Sequence, residues 1–338
     1  MVTEDNIREK FDEVLVPGVM RSVTGLNMVR EIAVSDGSVK ITLSSAALTT
    51  EEEKSVLKDK TISAVKTLAG VKTVDVEYAE VPPADMNRID HVIAVMSGKG
   101  GVGKSLVSGL TAVALRRQGY EVGILDADIT GPSIPRMFGI VNKPIGGENG
   151  IMPVLSRTGI EIMSVNLLLP NEEDAIIWRG PLISQTIKQF GSGVVWGKLD
   201  YLIIDLPPGT ADAPITVMQS FPVSGIIIVY TPQDLVDMIV RKAVNMAKKV
   251  KKPILGVVEN MSYLYVPEIK KKMEVFGKSR GQEMAQAAGA PLLAQIPIDP
   301  TLARLCDAGE FETYTDDLVE KLGKAVVESI KFTAVKIT

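Results

Sequence analysis

Apolar residues from residue 91 onward fall into strand-length runs that are separated by helical stretches. Seven runs are continuous rather than alternating, at residues 92–96, 122–125, 160–165, 201–204, 225–230, 254–258 and 292–296. Continuous apolarity indicates strands covered on both faces, as in a mostly parallel sheet between helix layers. The pattern therefore predicts an α/β fold with helices on both faces of one mostly parallel sheet.

The first 78 residues show a different pattern, which predicts a small α+β domain. Its predicted elements are a helix at 4–14, alternating strands at 29–34 and 39–43 around a Ser-Asp-Gly-Ser turn, a helix ending near 68, and a third strand at 74–78. Thr49 or Thr50, followed by three glutamates, favours the start of the second helix. A threonine side chain caps the first turn, and acids stabilise its positive end.

Residues 79–90 separate these two regions. They include Pro82 and Pro83 and have no apolar periodicity, which is typical of a linker. We therefore predict a small α+β domain at 1–78 and a larger α/β domain at 91–338.

Composition and charge narrow the class of protein. The chain is 46% hydrophobic and 23% charged, as in soluble globular proteins, and its net charge is −4. This acidic balance disfavours a nucleic-acid binder that works through bulk charge. The polar N-terminus lacks the apolar core of a signal peptide, and no apolar run reaches the ~18 residues that span a bilayer. We therefore expect a cytoplasmic protein with neither a nucleic-acid nor a membrane partner.

A glycine-rich octapeptide follows the first predicted strand of the larger domain and opens a helix. Its residues are Gly98, Lys99, Gly100, Gly101, Val102, Gly103, Lys104 and Ser105. This is the P-loop motif in the strand–loop–helix context that it requires, so an ATP site on a P-loop NTPase sheet is predicted. The glycines let backbone N–H groups turn toward phosphates, and the helix N-terminus adds donors. Lys104 is expected to reach the β- and γ-phosphates, and the Ser105 hydroxyl to bind Mg²⁺.

Three carboxylates follow two other predicted strands. Asp126 and Asp128 come after the run at 122–125, and Asp205 ends the run at 201–204 in the Walker B pattern. Because open α/β sheets bind ligands at the carboxyl ends of their strands, these acids should converge on the phosphate site. We expect Asp205 to hold Mg²⁺ through water, Asp128 to orient the attacking water, and Asp126 to support the Mg²⁺ or its loop.

Five longer sequence motifs indicate which family of P-loop ATPases the chain resembles. They are DADITGPSIP at 126–135, WRGP at 178–181, DLPPGTAD at 205–212, TPQD at 231–234 and ENMS at 259–262. Together with the P-loop they resemble the Mrp/ApbC iron–sulfur carrier ATPases, which are relatives of MinD. The resemblance runs from about residue 89 to the C-terminus. The N-terminal region is similar, less closely, to the iron–sulfur-assembly domain that often precedes such an ATPase.

This resemblance implies a homodimeric Mg·ATPase that carries a [4Fe–4S] cluster and delivers it to client apoproteins or assembly proteins. Lys99 marks the variant P-loop of the MinD, ParA and nitrogenase-iron-protein group, in which this lysine reaches the nucleotide of the partner subunit. Asn260 would recognise adenine, helped by the loop at Pro297 and Ile298. An asparagine amide suits that role because it offers both a donor and an acceptor.

The chain departs from the family at the metal site. The family places a CxxC pair between ENMS and a Phe-Gly step; here Val266 and Ile269 occupy those positions by count, and neither can bind iron. Cys306 is the only cysteine and His91 the only histidine.

Two functions stay open: an iron–sulfur carrier by descent, and a cluster-free, MinD-like ATPase that gates protein interactions. A positioning ATPase acting on membrane or DNA is disfavoured by the mixed charge of the predicted C-terminal helix and the acidic balance.

Overall fold

A computed structural model describes residues 2–128, 131–147, 150–168, 180–209, 212–233 and 236–337. Parts of four of the five sequence motifs lie outside these residues: Ile129 and Thr130, Trp178 and Arg179, Thr210 and Ala211, and Asp234. The chain forms two compact units. One comprises Met1–Ile89, Pro144–Pro153 and Gln189–Leu199, and the other Asp90–Lys143, Val154–Lys188 and Asp200–Thr338.

The elements alternate along most of the chain. The strands are β1 Val29–Ser35, β2 Ser38–Ser44, β3 Thr73–Ala79, β4 Arg88–Ser97, β5 Val122–Asp126, β6 Ile145–Gly147, β7 Gly150–Met152, β8 Val154–Leu155, β9 Glu161–Ser164, β10 Lys198–Asp205, β11 Gly225–Tyr230, β12 Ile254–Glu259, β13 Leu264–Val266, β14 Lys271–Met273 and β15 Leu292–Gln295. The α-helices are α1 Glu4–Phe11, α2 Glu51–Lys66, α3 Pro83–Met86, α4 Lys104–Arg117, α5 Ile134–Met137, α6 Gly180–Gly193, α7 Asp212–Ser220, α8 Val236–Lys249, α9 Gly281–Ala288, α10 Pro300–Ala308 and α11 Asp317–Ile337. Short 3-10 helices cover Val165–Leu168, Pro267–Ile269 and Phe311–Thr313.

The first unit contains the predicted hairpin and helices. Strands β1 and β2 pair antiparallel around Asp36 and Gly37, and β3 joins β2 in parallel. Both turn residues have positive φ, +49° and +85°, as a tight hairpin turn needs. The Thr50 hydroxyl accepts from the N–H of Glu53 at the start of α2, and the Glu53 side chain accepts from the N–H of Thr50. This reciprocal cap stabilises the helix end that the sequence predicted.

Two segments that the sequence analysis left in the larger domain belong to the first unit. Met152 and Val195 are buried in its core. The Asn87 amide donates to the Val194 carbonyl at 2.8 Å, and its oxygen accepts from the Trp196 N–H at 2.8 Å. The predicted linker contains α3 and the start of β4. The domain division at 1–78 and 91–338 stays a prediction.

The second unit is built on an eight-stranded sheet in the order β15-β12-β11-β4-β10-β5-β9-β8. Its seven longer strands coincide with the seven apolar runs, so the predicted mostly parallel α/β sheet is confirmed. Strand β8 was not predicted and pairs antiparallel with β9. Asp205 lies in register with Asp126 on β5, and Val229 on β11 with Ser97 at the end of β4. The carboxyl ends of these four strands therefore meet at one edge of the sheet.

Candidate functional site

The glycine-rich segment forms a loop between β4 and α4. Gly101 and Gly103 adopt φ of +77° and +78°, which favour glycine, and Gly98 and Gly100 lie in the same loop. A Cβ added at Gly103 would lie 2.1 Å from the Asn260 Nδ2 atom, whereas one at Gly101 would meet nothing within 4 Å. Gly103 is therefore constrained by its backbone and by a neighbouring side chain.

Four predicted residues meet where the loop enters α4. The Lys104 Nζ lies 2.8 Å from the Asp205 Oδ2 and 3.5 Å from the Asp128 Oδ2. The Ser105 hydroxyl donates to the same Asp205 oxygen at 2.6 Å. Lys104, Asp128 and Asp205 are all buried. A lysine, a hydroxyl and two carboxylates thus share one desolvated pocket, in which electrostatic interactions are stronger than in water.

Asp126 lies beside this cluster and is fully buried. Its carboxyl oxygens accept from the backbone N–H groups of Asp128 and Ile134, both at 3.2 Å. Burial raises the pKa of Asp126 to about 8; the nearby Asp205 raises it too, while Lys104 opposes the shift. The carboxyl of Asp126 therefore binds a proton more readily than an exposed aspartate does, and a bound cation would favour its ionised form.

Ser108 joins the cluster, although the sequence analysis did not single it out. Its hydroxyl lies 2.6 Å from the Asp205 Oδ1 and is fully buried. Residues three and four apart share one face of a helix, so Ser108 lies on the same face of α4 as Lys104 and Ser105. The available signal was a serine one turn after a P-loop, in a helix segment whose other residues from 106 to 115 are apolar or glycine apart from Thr111.

The predicted adenine residues lie on two neighbouring loops. The buried Asn260 amide donates to the Val102 carbonyl of the P-loop at 2.9 Å. Pro297 and Ile298 are half-buried after β15, and the Ile298 N–H donates to the Tyr263 carbonyl at 2.7 Å. The structure thus joins Asn260 to the P-loop and the Pro297 loop to the segment that follows Asn260.

Two family models together cover most of the chain. The model described as NUBPL iron-transfer P-loop NTPase matches residues 88–331, and the model described as iron–sulfur cluster assembly protein matches residues 4–77. The chain belongs to the iron-transfer P-loop NTPase family. It is accordingly a nucleotide-binding ATP hydrolase.

Relatives support this assignment. An iron–sulfur cluster carrier protein of Clostridium perfringens is 47% identical over 234 residues, covering 67% of this chain and 82% of that protein. One of Methanocaldococcus jannaschii is 43% identical over 253 residues, covering 73% and 87%. The solved nucleotide-binding protein of Archaeoglobus fulgidus in complex with ADP is 45% identical, with a TM-score of 0.63, and covers 70% of this chain and 93% of that one. MinD of Pyrococcus horikoshii, at 21% identity and a TM-score of 0.52, shares the fold.

Lys99 of this iron-transfer NTPase lies against its own chain. Its ammonium group donates to the Gln233 side-chain oxygen, on the loop after β11. Its carbonyl accepts from the Ser97 hydroxyl at 2.9 Å. The conformation shown is therefore one in which Lys99 is held within the subunit.

The segment that contains Val266 and Ile269 is a small hairpin, residues 263–278. Strands β13 and β14 pair antiparallel, and Lys272 lies 3.9 Å from the centroid of the Tyr263 ring. Val266 is half-buried, and Ile269 is 55% exposed. The exposed large apolar side chains of the hairpin are Tyr265, Ile269, Met273, Val275 and Phe276.

One buried carboxylate closes the base of this hairpin. Glu259, fully buried at the end of β12, accepts from four groups: the hydroxyls of Ser262 and Ser279 at 2.6 Å each, the Arg280 N–H at 2.8 Å and the Gln295 amide at 2.9 Å. Because Ser262 precedes the hairpin and Ser279 follows it, both of its ends return to the same side chain.

Thiolate chemistry is poorly provided for. Cys306 is half-buried in α10, and burial, helped by Asp307, raises its pKa to about 11. It is therefore a protonated thiol near neutral pH. Within the described ranges, no group of three or more His, Cys, Asp and Glu side chains is placed to hold a metal ion. In the same ranges, no helix is long and apolar enough to cross a membrane.

Proposed function

We propose that this iron-transfer NTPase is a Mg²⁺-dependent ATPase whose ATP binding is coupled to homodimerisation. It serves iron–sulfur assembly as an ATP-gated protein partner rather than as a holder of a cluster on its own thiolates. The observation that carries the proposal is a complete P-loop cluster combined with a hairpin that has Val266 and Ile269 where thiolates would be needed.

The donors at the P-loop suit Mg²⁺. The Ser105 hydroxyl and the Asp205 carboxylate are hard oxygen donors 2.6 Å apart, and Mg²⁺ is usually held by one or two such groups together with phosphate oxygens and water. Ser105 and Asp205 would hold the ion, with Asp126 in support, and Mg²⁺ when bound neutralises charge on the phosphates.

The remaining residues of the loop have distinct tasks in the proposal. Backbone N–H groups of the loop from Gly98 to Gly103 bind the phosphates, while Lys104 exchanges part of its contact with Asp205 for the β- and γ-phosphates. Asp128, buried but at the edge of the cluster, accepts a hydrogen bond from the attacking water and so orients it. Asn260, with Pro297 and Ile298, lines the adenine side.

Dimerisation is assigned to Lys99. To reach the nucleotide of a second subunit, its ammonium group must leave Gln233, so ATP in the partner competes with an internal hydrogen bond. Lys99→Ala should therefore weaken ATP-induced dimer formation, as measured by light scattering or sedimentation. Lys321→Ala, which removes an exposed lysine on α11, is the control and should dimerise like the wild type. Unchanged dimerisation of the Lys99 variant would contradict this role.

The cluster question has a direct test. Anaerobic reconstitution, followed by iron and sulfide analysis and visible absorbance, should give no stoichiometric cluster for the wild-type chain. The double substitution Val266→Cys with Ile269→Cys restores the spacing of the family and serves as the positive control; it should bind a cluster under the same conditions. A stoichiometric cluster on the wild-type dimer would refute the proposal and identify a carrier that uses other ligands.

The exposed hairpin is the proposed contact surface for client or assembly proteins. Large apolar side chains gathered on one exposed element mark interaction sites more often than isolated ones do. A two-stranded hairpin this short is also marginally stable by itself. Its exposed apolar residues, which include Tyr265 and Ile269, would be shielded from water when a partner covers them.

A further inference from the structure

Both oxygens of the Asp205 carboxylate are engaged by α4. Oδ2 accepts from the Ser105 hydroxyl at 2.6 Å and lies 2.8 Å from the Lys104 Nζ. Oδ1 accepts from the Ser108 hydroxyl, also at 2.6 Å. Asp205 and Ser108 are both fully buried, so no solvent competes for these contacts. Three contacts from one helix therefore define the plane of this carboxylate.

The proton of the Ser108 hydroxyl can go to only one acceptor. The two candidates are the Asp205 Oδ1 at 2.6 Å and the Lys104 carbonyl at 3.1 Å. The Lys104 carbonyl has another donor, because in an α-helix it accepts the backbone N–H of the residue four positions further on. A buried carboxylate oxygen, by contrast, is costly to leave without a donor. The shorter contact to the charged acceptor is the stronger one.

A buried serine or threonine in a helix more often donates only to the carbonyl four residues before it. Thr111, one turn further along α4, does this: its hydroxyl donates to the Val107 carbonyl at 2.8 Å and it too is fully buried. Ser108 differs in reaching across to another element of the sheet. Its bond to Asp205 is therefore more than the usual capping of a helix carbonyl.

We propose that Ser108 is a positioning residue for the metal–nucleotide complex. By holding the Asp205 Oδ1, it keeps Oδ2 turned toward Ser105, where the proposed Mg²⁺ is bound. The assignment rests on the proposed function, in which Ser105 and Asp205 hold that ion. In this assignment Ser108 acts on the bound ion only through Asp205.

The test measures binding, not turnover. The affinity for a fluorescent, non-hydrolysable ATP analogue is titrated with Mg²⁺ and with excess chelator, for the wild type, Ser108→Ala, Ser108→Thr and Thr111→Val. Ser108→Ala should lose about tenfold of the Mg²⁺-dependent gain in affinity, the equivalent of one hydrogen bond to a charged group, with its Mg²⁺-free affinity unchanged. Ser108→Thr keeps the hydroxyl and should restore the gain, and Thr111→Val should leave it unaltered.

Two results would overturn the assignment. One is a wild-type Mg²⁺ response in Ser108→Ala. The other is an equal loss of affinity with and without Mg²⁺, which would show that the serine supports only the fold of the loop; circular dichroism melting of each variant separates this from global unfolding. If the wild type itself binds the analogue equally well without Mg²⁺, the proposed function fails, and the role of Ser108 fails with it.

Discussion

Gly103 offers the sharpest test of how the P-loop is built. Gly103→Ala places a methyl group 2.1 Å from the Asn260 Nδ2 atom, at a residue whose φ is +78°. The left-handed conformation costs about 1–2 kcal/mol for a non-glycine residue. Displacing Asn260 also leaves the buried Val102 carbonyl without its donor, which costs roughly 1–3 kcal/mol more. We therefore expect Gly103→Ala to destabilise the second unit by about 2–5 kcal/mol.

Gly101→Ala is the matched control. Its φ is +77°, almost the same, but the added methyl group meets nothing within 4 Å. Gly101→Ala should lower the free energy of unfolding only by the cost of the left-handed backbone conformation, about 1–2 kcal/mol. Urea unfolding followed by circular dichroism resolves the difference, because 1–3 kcal/mol corresponds to a shift of roughly 1 M in the midpoint.

Equal midpoints for the two variants would refute the reasoning, since the clash with Asn260 would then have no energetic effect. A second substitution checks the mechanism. Asn260→Ala should destabilise the wild type, because the Val102 carbonyl loses its donor, but should cost less in the Gly103→Ala background. Such non-additivity is expected only for residues in contact.

Other predictions concern the chemistry of the cluster and of the thiol. Lys104→Ala should abolish nucleotide binding in equilibrium titrations, because the phosphates lose their cation. Asp128→Asn should bind ATP normally, hydrolyse it at least 100-fold more slowly and accumulate the ATP-bound dimer; normal turnover would contradict the role of Asp128. Because burial raises the pKa of Cys306 to about 11, its alkylation by iodoacetamide should accelerate with pH up to about 11. In urea, where the thiol is solvated, the reaction at pH 8 should be faster.

Local sequence patterns predicted the longer strands of the large sheet and the helix α2. The seven parallel strands have continuous apolar runs, and α2 has its capping threonine, so each was readable within a short window. Strand β8 has two residues and the 263–278 hairpin has three per strand, one of them Lys-Lys-Met, too short and too polar for any periodicity. The membership of residues 144–153 and 189–199 in the first unit depends on long-range contacts, which leave no local pattern.

In the candidate site too, features carried by local sequence were predicted and features that depend on long-range contacts were not. The P-loop and its carboxylates were predicted because a motif and a strand end carry them, and the structure brings Lys104, Ser105, Asp128 and Asp205 together. The hydrogen bond from Asn260 to the loop and that from Ser108 to Asp205 connect residues about a hundred or more positions apart. Only the packed sheet places such pairs side by side.

The way in which Glu259 closes the 263–278 hairpin separates the interior of that hairpin from the strands that carry it. Both ends of the hairpin are fastened to one side chain by the hydroxyls of Ser262 and Ser279. Val266 and Ile269 take no part in those hydrogen bonds, so substitutions there are expected to leave β12 and β15 in place. The nucleotide-binding loop is held by a different set of hydrogen bonds, centred on Asp205 and Asn260. The ATP site and the hairpin are thus two modules that protein engineering can alter one at a time.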